Sequence, residues 1–190
     1  MFAITPRLML RPPWPEDAQQ VFDAANEERI VRNLAQLPWP YRPEDAADYC
    51  ATAGDDPLPH LLIFDRLAAR PRLLGTCALD DKDHGVMLGY WIRSDSWNRG
   101  YASEAGKALV AMARALGHDQ LTATHFVDNP ASGAVLRNIG FRETGRIEQR
   151  WSEARQSRAP ARHYRWHADE QDMADEDHMP ARCLMDKAAA

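Results

Sequence analysis

Trp97-Asn98-Arg99-Gly100-Tyr101-Ala102 joins a run with strand character, Val86 to Ile92, to a helical pattern that begins near Tyr101. A strand, a tight Gly-containing turn and a helix start form an anion cradle. Gly100 can adopt backbone angles closed to other residues, and Ala102 is small enough to let a ligand approach. Free N–H groups there converge with the positive end of the helix dipole. A lone G-x-A turn is common, and the competing reading is an ordinary strand-to-helix connection. His125, on a strand leading to Asn129, offers an imidazole, the side-chain type that changes charge near neutral pH. Ser132 opens another helical pattern, where its hydroxyl is placed as a first-turn cap. His163, His167 and Asp169 can be read as a metal trio, but no third ligand has convincing spacing, so the expectation is a solvent-facing stripe and no metal.

Those groups must be carried by a set of elements that the patterning marks out. Leu8 to Arg11 reads as a first strand ended by Pro12-Pro13. Glu16 to about Asn26 reads as an amphipathic helix, and a second helix runs from Pro43 to Ala53 after the stiff aromatic linker Pro38 to Pro43. His60 to Asp65, Arg72 to Leu79 and Val86 to Ile92 read as successive strands, with Gly89 suggesting a bulge or a close backbone approach. The helix after Gly100 places Ala105, Ala108, Leu109, Met112, Ala113 and Leu116 on one face and stops at Gly117. Leu121 to Val127 is a further strand, Pro130 to Ile139 a short helix, and Phe141 to Trp151 with Arg162 to Trp166 a closing hairpin. The order implies a mixed α/β (α+β) sheet of about seven strands.

The 190 residues suffice for one well-buried core, so a single domain over residues 1–167 followed by a tail over 168–190 is the expectation. No apolar run approaches membrane-spanning length and the first eleven residues lack a secretory signal, so a soluble, cytoplasmic protein is expected. Cys50, Cys77 and Cys183 are odd in number and far apart, which argues against a disulfide framework. The net charge of -5 resides wholly in residues 168–190, which hold seven acids and two bases, leaving 21 of each in the body. That balance removes any global basic signal for nucleic acid. Locally, Arg142, Arg146, Arg150, Arg155, Arg158, Arg162 and Arg165 crowd the last hairpin. They form either a solvated face or a docking rim for an acidic substrate or for the tail.

Four motifs in order resemble the GNAT superfamily of acetyl-CoA-dependent N-acyltransferases, and within it the ribosomal-protein-type branch labelled RimJ/RimL. Thr5-Pro6-Arg7-Leu8-Met9-Leu10-Arg11 is similar to the opening T-x-R-L-x-L-R strand, and Leu88-Gly89-Tyr90-Trp91-Ile92 to L-G-Y-W-I. Trp97 to Ala105 is similar to W-x-x-G-Y-A-x-E-A, and Asn129 to Ser132 through Val135-Leu136 to Gly140-Phe141 to N-x-x-S, V-L and G-F. The resemblance spans most of residues 5–145. It implies a mostly antiparallel sheet splayed between its fourth and fifth strands, with about four helices, and acetyl-CoA as co-substrate without a metal.

By that resemblance the backbone of Tyr90, Trp91 and Ile92 contacts the pantetheine arm. The amides of Asn98, Arg99, Gly100, Tyr101, Ala102 and Ser103 take the pyrophosphate, and Asn129 holds the arm near the thioester. Arg99 and Arg137 are placed to reach the 3′-phosphate, with solvated arginines as the equal alternative. Relatives often carry a carboxylate base on the fourth or fifth strand, where this chain has Met87 and Thr124, and a tyrosine acid where it has Leu136. Ser132 is then the candidate donor to the leaving sulfur. His125 is the candidate base, with Glu27, Glu28, Asp128, His84 or water as other proton acceptors. The implied partner is an amine acceptor, either a protein N-terminus or a small molecule, and a homodimer stays open. The missing carboxylate and tyrosine also admit an acyl-CoA-binding module with little catalysis, and the acidic tail admits a scaffold.

Overall fold

In the computed structural model, which describes residues 1–82 and 85–168, His60 to Asp65 is apolar without alternation because both of its faces are covered. Leu61 and Ile63 enter one core while Leu62 and Phe64 enter another. The strands are β1 (Ala3–Ile4), β2 (Leu8–Arg11), β3 (His60–Asp65), β4 (Arg72–Lys82), β5 (Gly85–Ile92), β6 (Gln120–Phe126), β7 (Arg142–Ser152) and β8 (Ser157–His167). The helices are α1 (Ala18–Ala25), α2 (Glu28–Val31), α3 (Pro43–Thr52), α4 (Tyr101–Ala115) and α5 (Pro130–Asn138). The eight strands form one sheet in the order β1-β2-β3-β4-β5-β6-β8-β7, antiparallel except between β5 and β6. The short strand β1, paired with Met9 and Leu10, and the single-turn helix α2 add to the elements expected from patterning.

Leu8, Leu10, Leu79, Leu88 and Ile92 pack with Leu109, Ala113 and Leu136 of α4 and α5 on one face. Val21, Ala25, Ile30, Ala46 and Cys50 from α1 to α3 pack with Leu62, Phe64 and Trp91 on the other. Among the described residues no helix is long and apolar enough to cross a membrane. The expected tail lies outside the described residues beyond Ala168, as do His84 and Asp169.

The bulge expected at Gly89 is absent. Gly89 pairs with Ala78 inside an unbroken register that runs from Gly75–Ile92 to Lys82–Gly85. The irregularity lies one strand earlier, between Ile63 and Phe64, where Leu74 is the extra residue. It brings Gly75 against β5 so closely that a Cβ there would stand 2.0 Å from the Trp91 carbonyl oxygen. β5 thus keeps its β4 edge fully paired. Its other edge meets β6 at one register position only, Met87 opposite Thr122, beyond which the two strands part.

One polar clamp ties the N-terminal segment to α4. Glu104 accepts from the Thr5 hydroxyl at 2.6 Å, the Arg7 amide at 2.9 Å and Arg7 Nε at 2.6 Å. Burial works to raise the Glu104 carboxyl, but these three donors outweigh it and hold the group below its ordinary value of 4.5. A depressed carboxylate contributes stability that is complete above the ordinary value and is lost as pH falls through the native one. Melting scans therefore show the native chain more stable than Glu104→Gln near pH 7, with the gap closing as pH falls below about 4.5. A pH-independent gap removes the clamp. Gly75→Ala lowers stability by about 3 kcal/mol, or roughly 10 °C in melting temperature, because the colliding atom is backbone. Gly54→Ala, with nothing within 4 Å of the added carbon, is the neutral control.

Candidate active site

The gap between β5 and β6 opens into a single cleft of about 1610 Å³ that reaches from the start of α4, past α5, to the inner side of α3. Its wall brings together Tyr90, Trp91, Ile92, Asn98, Arg99, Gly100, Tyr101, Ala102, Ser103, His125, Asn129 and Ser132. Arg137 is not on that wall. It is exposed on α5, with Nη1 donating to the Tyr164 hydroxyl at 3.3 Å.

At the α4 end, Gly100 sits at φ 77 as the residue before the helix, and Asn98 at φ 59. Both are left-handed positions that glycine and asparagine tolerate. The first helical bond is Glu104 N–H to the Gly100 carbonyl at 3.0 Å, so the amides of Tyr101, Ala102 and Ser103 precede the ladder. The loop is held from both sides. Trp97 Nε1 donates to the Ile92 carbonyl at 2.7 Å, and Arg7 Nη1 donates to the Arg99 carbonyl at 2.8 Å while its guanidinium covers the Tyr101 ring. A Cβ on Gly100 would lie 3.4 Å from Arg7 Nη2, at the floor of the cradle.

At the α5 end, Asn129 is the capping residue, its side chain accepting from the Ser132 amide at 3.4 Å. The capping role weighed for Ser132 is thus filled by its neighbour. Ser132 Oγ instead lies 2.8 Å from the Tyr90 hydroxyl, which also lies 3.1 Å from the Ser132 carbonyl. Burial raises the Tyr90 phenol well above its ordinary value, so it stays protonated. This Tyr90–Ser132 pair was missed in the sequence, where only the Tyr90 backbone drew notice. The alternation of β5 puts Tyr90 on the same face as Leu88 and Ile92, yet nothing local says that α5 lies above it. Leu136 is core.

His125 is buried between β6 and α5. Its Nδ1 donates to the Phe126 carbonyl at 2.8 Å, since a carbonyl can only accept, and Nε2 lies 3.3 Å from the Tyr164 hydroxyl. The helix rides on this ring: a Cβ at Gly133 would come within 2.7 Å of Nε2. Two of the other weighed proton acceptors are engaged elsewhere, while Glu28 is exposed on α2. Asp128 is held by Arg155 through two contacts of 2.9 Å, which keep its carboxyl low, and Glu27 by Arg29 and the Ser94 hydroxyl.

The closed end of the cleft brings Met87 and Thr124 together with one arginine of the crowded last hairpin, a meeting the sequence did not show. Met87 and Thr124 both line that end, and Arg150 reaches from β7 onto the Thr124 hydroxyl and to within 3.6 Å of Met87 Sδ. The tip of the β7–β8 hairpin then crosses to the segment between α2 and α3. The Ser152 hydroxyl donates to the Leu34 carbonyl at 3.1 Å, the Glu153 amide to Ala35 at 2.9 Å, and Arg155 Nε to Arg32 at 2.7 Å. Tyr41 from the aromatic linker both stacks on Phe22 and lines the cleft. His163 faces Glu148 at 3.4 Å, and no group of three metal-ligating side chains occurs among the described residues.

An acetyltransferase (GNAT) domain model matches residues 7–142, which contain β2 through α5 and hence both ends of the cleft. An uncharacterized N-acetyltransferase of Bacillus subtilis (strain 168), YoaA, is 35% identical over 168 residues, covering 78% of this chain and 88% of that protein. Among solved structures, the ribosomal-protein-S5-alanine acetyltransferase from Vibrio fischeri superposes with a TM-score of 0.74 at 14% identity, covering 89% of this chain and 97% of that one. RimL, a ribosomal L7/L12 α-N-protein acetyltransferase solved with coenzyme A, superposes with a TM-score of 0.73 at 17% identity, covering 89% and 99%. The extent of the domain match, together with a sheet that opens where the motifs converge, means that the chain belongs to the GNAT acetyltransferase family.

Proposed function

We propose that this protein moves an acetyl group from acetyl-CoA to a primary amine by direct attack in a ternary complex, in the cytoplasm. One observation carries the reading: a continuous cleft connects the amides at the start of α4, the unpaired edge of β5 and the Ser132 hydroxyl. Phosphates suit the α4 cradle, and the amides of an extended arm suit a free strand edge. Asn129, with its oxygen turned to the Ser132 amide, has its NH2 group left for that arm.

Ser132 is the candidate donor to the leaving sulfur. The Ser132 carbonyl can only accept, so the single phenolic hydrogen of Tyr90 goes either there, with Ser132 Oγ donating to Tyr90, or to Ser132 Oγ, which turns the serine hydrogen toward the cleft; the second arrangement is the one that donation to sulfur requires. Tyr90 then positions Ser132 and steadies it as negative charge builds on the departing thiolate. The attacking amine must arrive neutral, and no carboxylate stands at Met87 or Thr124 to deprotonate it. An α-amine titrates near ~8 against ~10.4 for lysine, which favours an α-amine or another weakly basic acceptor. Protein N-termini fit that preference, as do small amines. The alternative, a CoA-binding module with little catalysis, draws on the same two positions.

A thiol-release screen of acetyl-CoA against N-terminal peptides and small amines tests the reading; tight acetyl-CoA binding with no release against any acceptor supports the binding module. Gly100→Val weakens acetyl-CoA binding by calorimetry about tenfold or more, ~1.4 kcal/mol, and an unchanged affinity sinks the cradle. Ser132→Ala lowers kcat about a hundredfold with acetyl-CoA affinity near native, and Tyr90→Phe gives a smaller loss of the same kind. An unaltered rate in Ser132→Ala assigns the hydroxyl to packing alone. For His125, a base role requires Nε2 to leave Tyr164 for the cleft. Loss of the acid limb of the rate–pH profile in His125→Asn is its signature, and an unchanged profile limits His125 to supporting α5 beneath Gly133.

A further inference from the structure

We propose that Arg150 is the receptor for an oxyanion on the acceptor, so that the acceptor is a small amine bearing a carboxylate or phosphate group near its nucleophilic nitrogen. The inference deepens the acetyl-transfer reading and rests on it. Arg150 starts on β7, yet its guanidinium ends over β6 and β5, on the Thr124 hydroxyl and 3.6 to 3.7 Å from Met87 Sδ. That is the point where the two strands begin to part.

A half-buried guanidinium on the wall of a cleft is best matched by anionic or multiple oxygen partners. Here it has one alcohol and a thioether, a weak acceptor. Among the described residues no carboxylate oxygen is paired with it, whereas Arg146, Arg155 and Arg162 of the same hairpin each hold one. The two carboxylates whose charge it feels are taken: Glu148 by Arg146 and His163, and Asp80 by His60 and Lys82, each at 3.7 Å. Burial accordingly disfavours the charged form of Arg150. Five donors with one oxygen partner leave a fork that matches a planar oxyanion bidentately.

The hairpin that carries Arg150 is anchored at its tip: Ser152 is fully buried, and the tip is bonded to residues 32–35, which line the cleft. The acceptor's size follows from where its anion must lie, close to the nitrogen that attacks. A protein N-terminus also presents an amide where a free amino acid presents its carboxylate.

The test compares kcat/KM for free α-amino acids, their carboxamides, aminoalkylphosphonates and tripeptides beginning with Ala or Ser. The native protein acetylates oxyanion-bearing amines at least about tenfold better than the amides, and the acid and phosphonate arms identify which anion is read. Arg150→Met raises KM for the anionic acceptors about 30-fold or more and erases the preference, while Arg150→Lys restores part of it. Melting scans confirm that each variant is folded. Equal use of amides or tripeptides by the native protein, or a preference that survives Arg150→Met, overturns the proposal. If no acceptor releases thiol, calorimetric titration of the same compounds into the acetyl-CoA-bound protein separates the two readings. Arg150-dependent binding of the anions upholds the subsite and overturns acetyl transfer, and absence of anion binding overturns the subsite.

Discussion

The single register pair between β5 and β6, Met87 opposite Thr122, is the constraint on which the rest of the molecule depends. β5 is fully held by β4, and β6 is fully held by β8 from Gln120–His167 to Phe126–Ala161. Neither strand can move to close the gap without surrendering a complete ladder on its far side. The split therefore persists as a wedge through the middle of the sheet, with backbone polar groups left on both of its edges. Buried backbone groups require partners, so a gap of this kind is stable only if water or an extended ligand can enter it.

The polar structure around the wedge keeps its two ends in register with one another. Glu104 fixes the first turn of α4 to the chain leading into β2, and Arg7 carries that clamp on to the Arg99 carbonyl. Asn129 caps α5, while His125 and Tyr164 form the bed against which the helix lies at Gly133. Cradle and Ser132 thus belong to two helices that meet where Gly106 of α4 packs on Ile139, just past the end of α5. The two halves of the cleft then differ in chemistry. The β5 edge with the α4 amides offers hydrogen-bond donors and acceptors in a row, whereas the end at Met87 and Thr124 offers the Arg150 guanidinium between a thioether and an alcohol, with Asp80 and Lys82 also on the wall.

Much of this was legible because it is local. The Gly100 turn, the Pro130 start of α5, the both-faces-buried run of β3 and the amphipathic stripe of α4 each follow from residue type and spacing within a dozen positions. Gly89 misled for the same reason. A glycine inside a strand signals a bulge or a close backbone approach, and Gly89 shows neither within the chain: it faces open space in regular pairing. The glycine whose lack of a side chain the sheet requires is Gly75, and its collision partner is the backbone of a different strand.

The sequence by itself determined the turn before α4 and the capped start of α5, because each is built from contiguous residues whose backbone geometry is set by their own types. Tertiary structure alone decided the open edge of β5 and which side chains meet along the cleft. Arg150 lies 63 residues from Met87 and 26 from Thr124, and Ser132 lies 42 from Tyr90. Side chains so distant meet only through strand order and helix placement, which arise from the packing of the whole core rather than from any pattern within one segment.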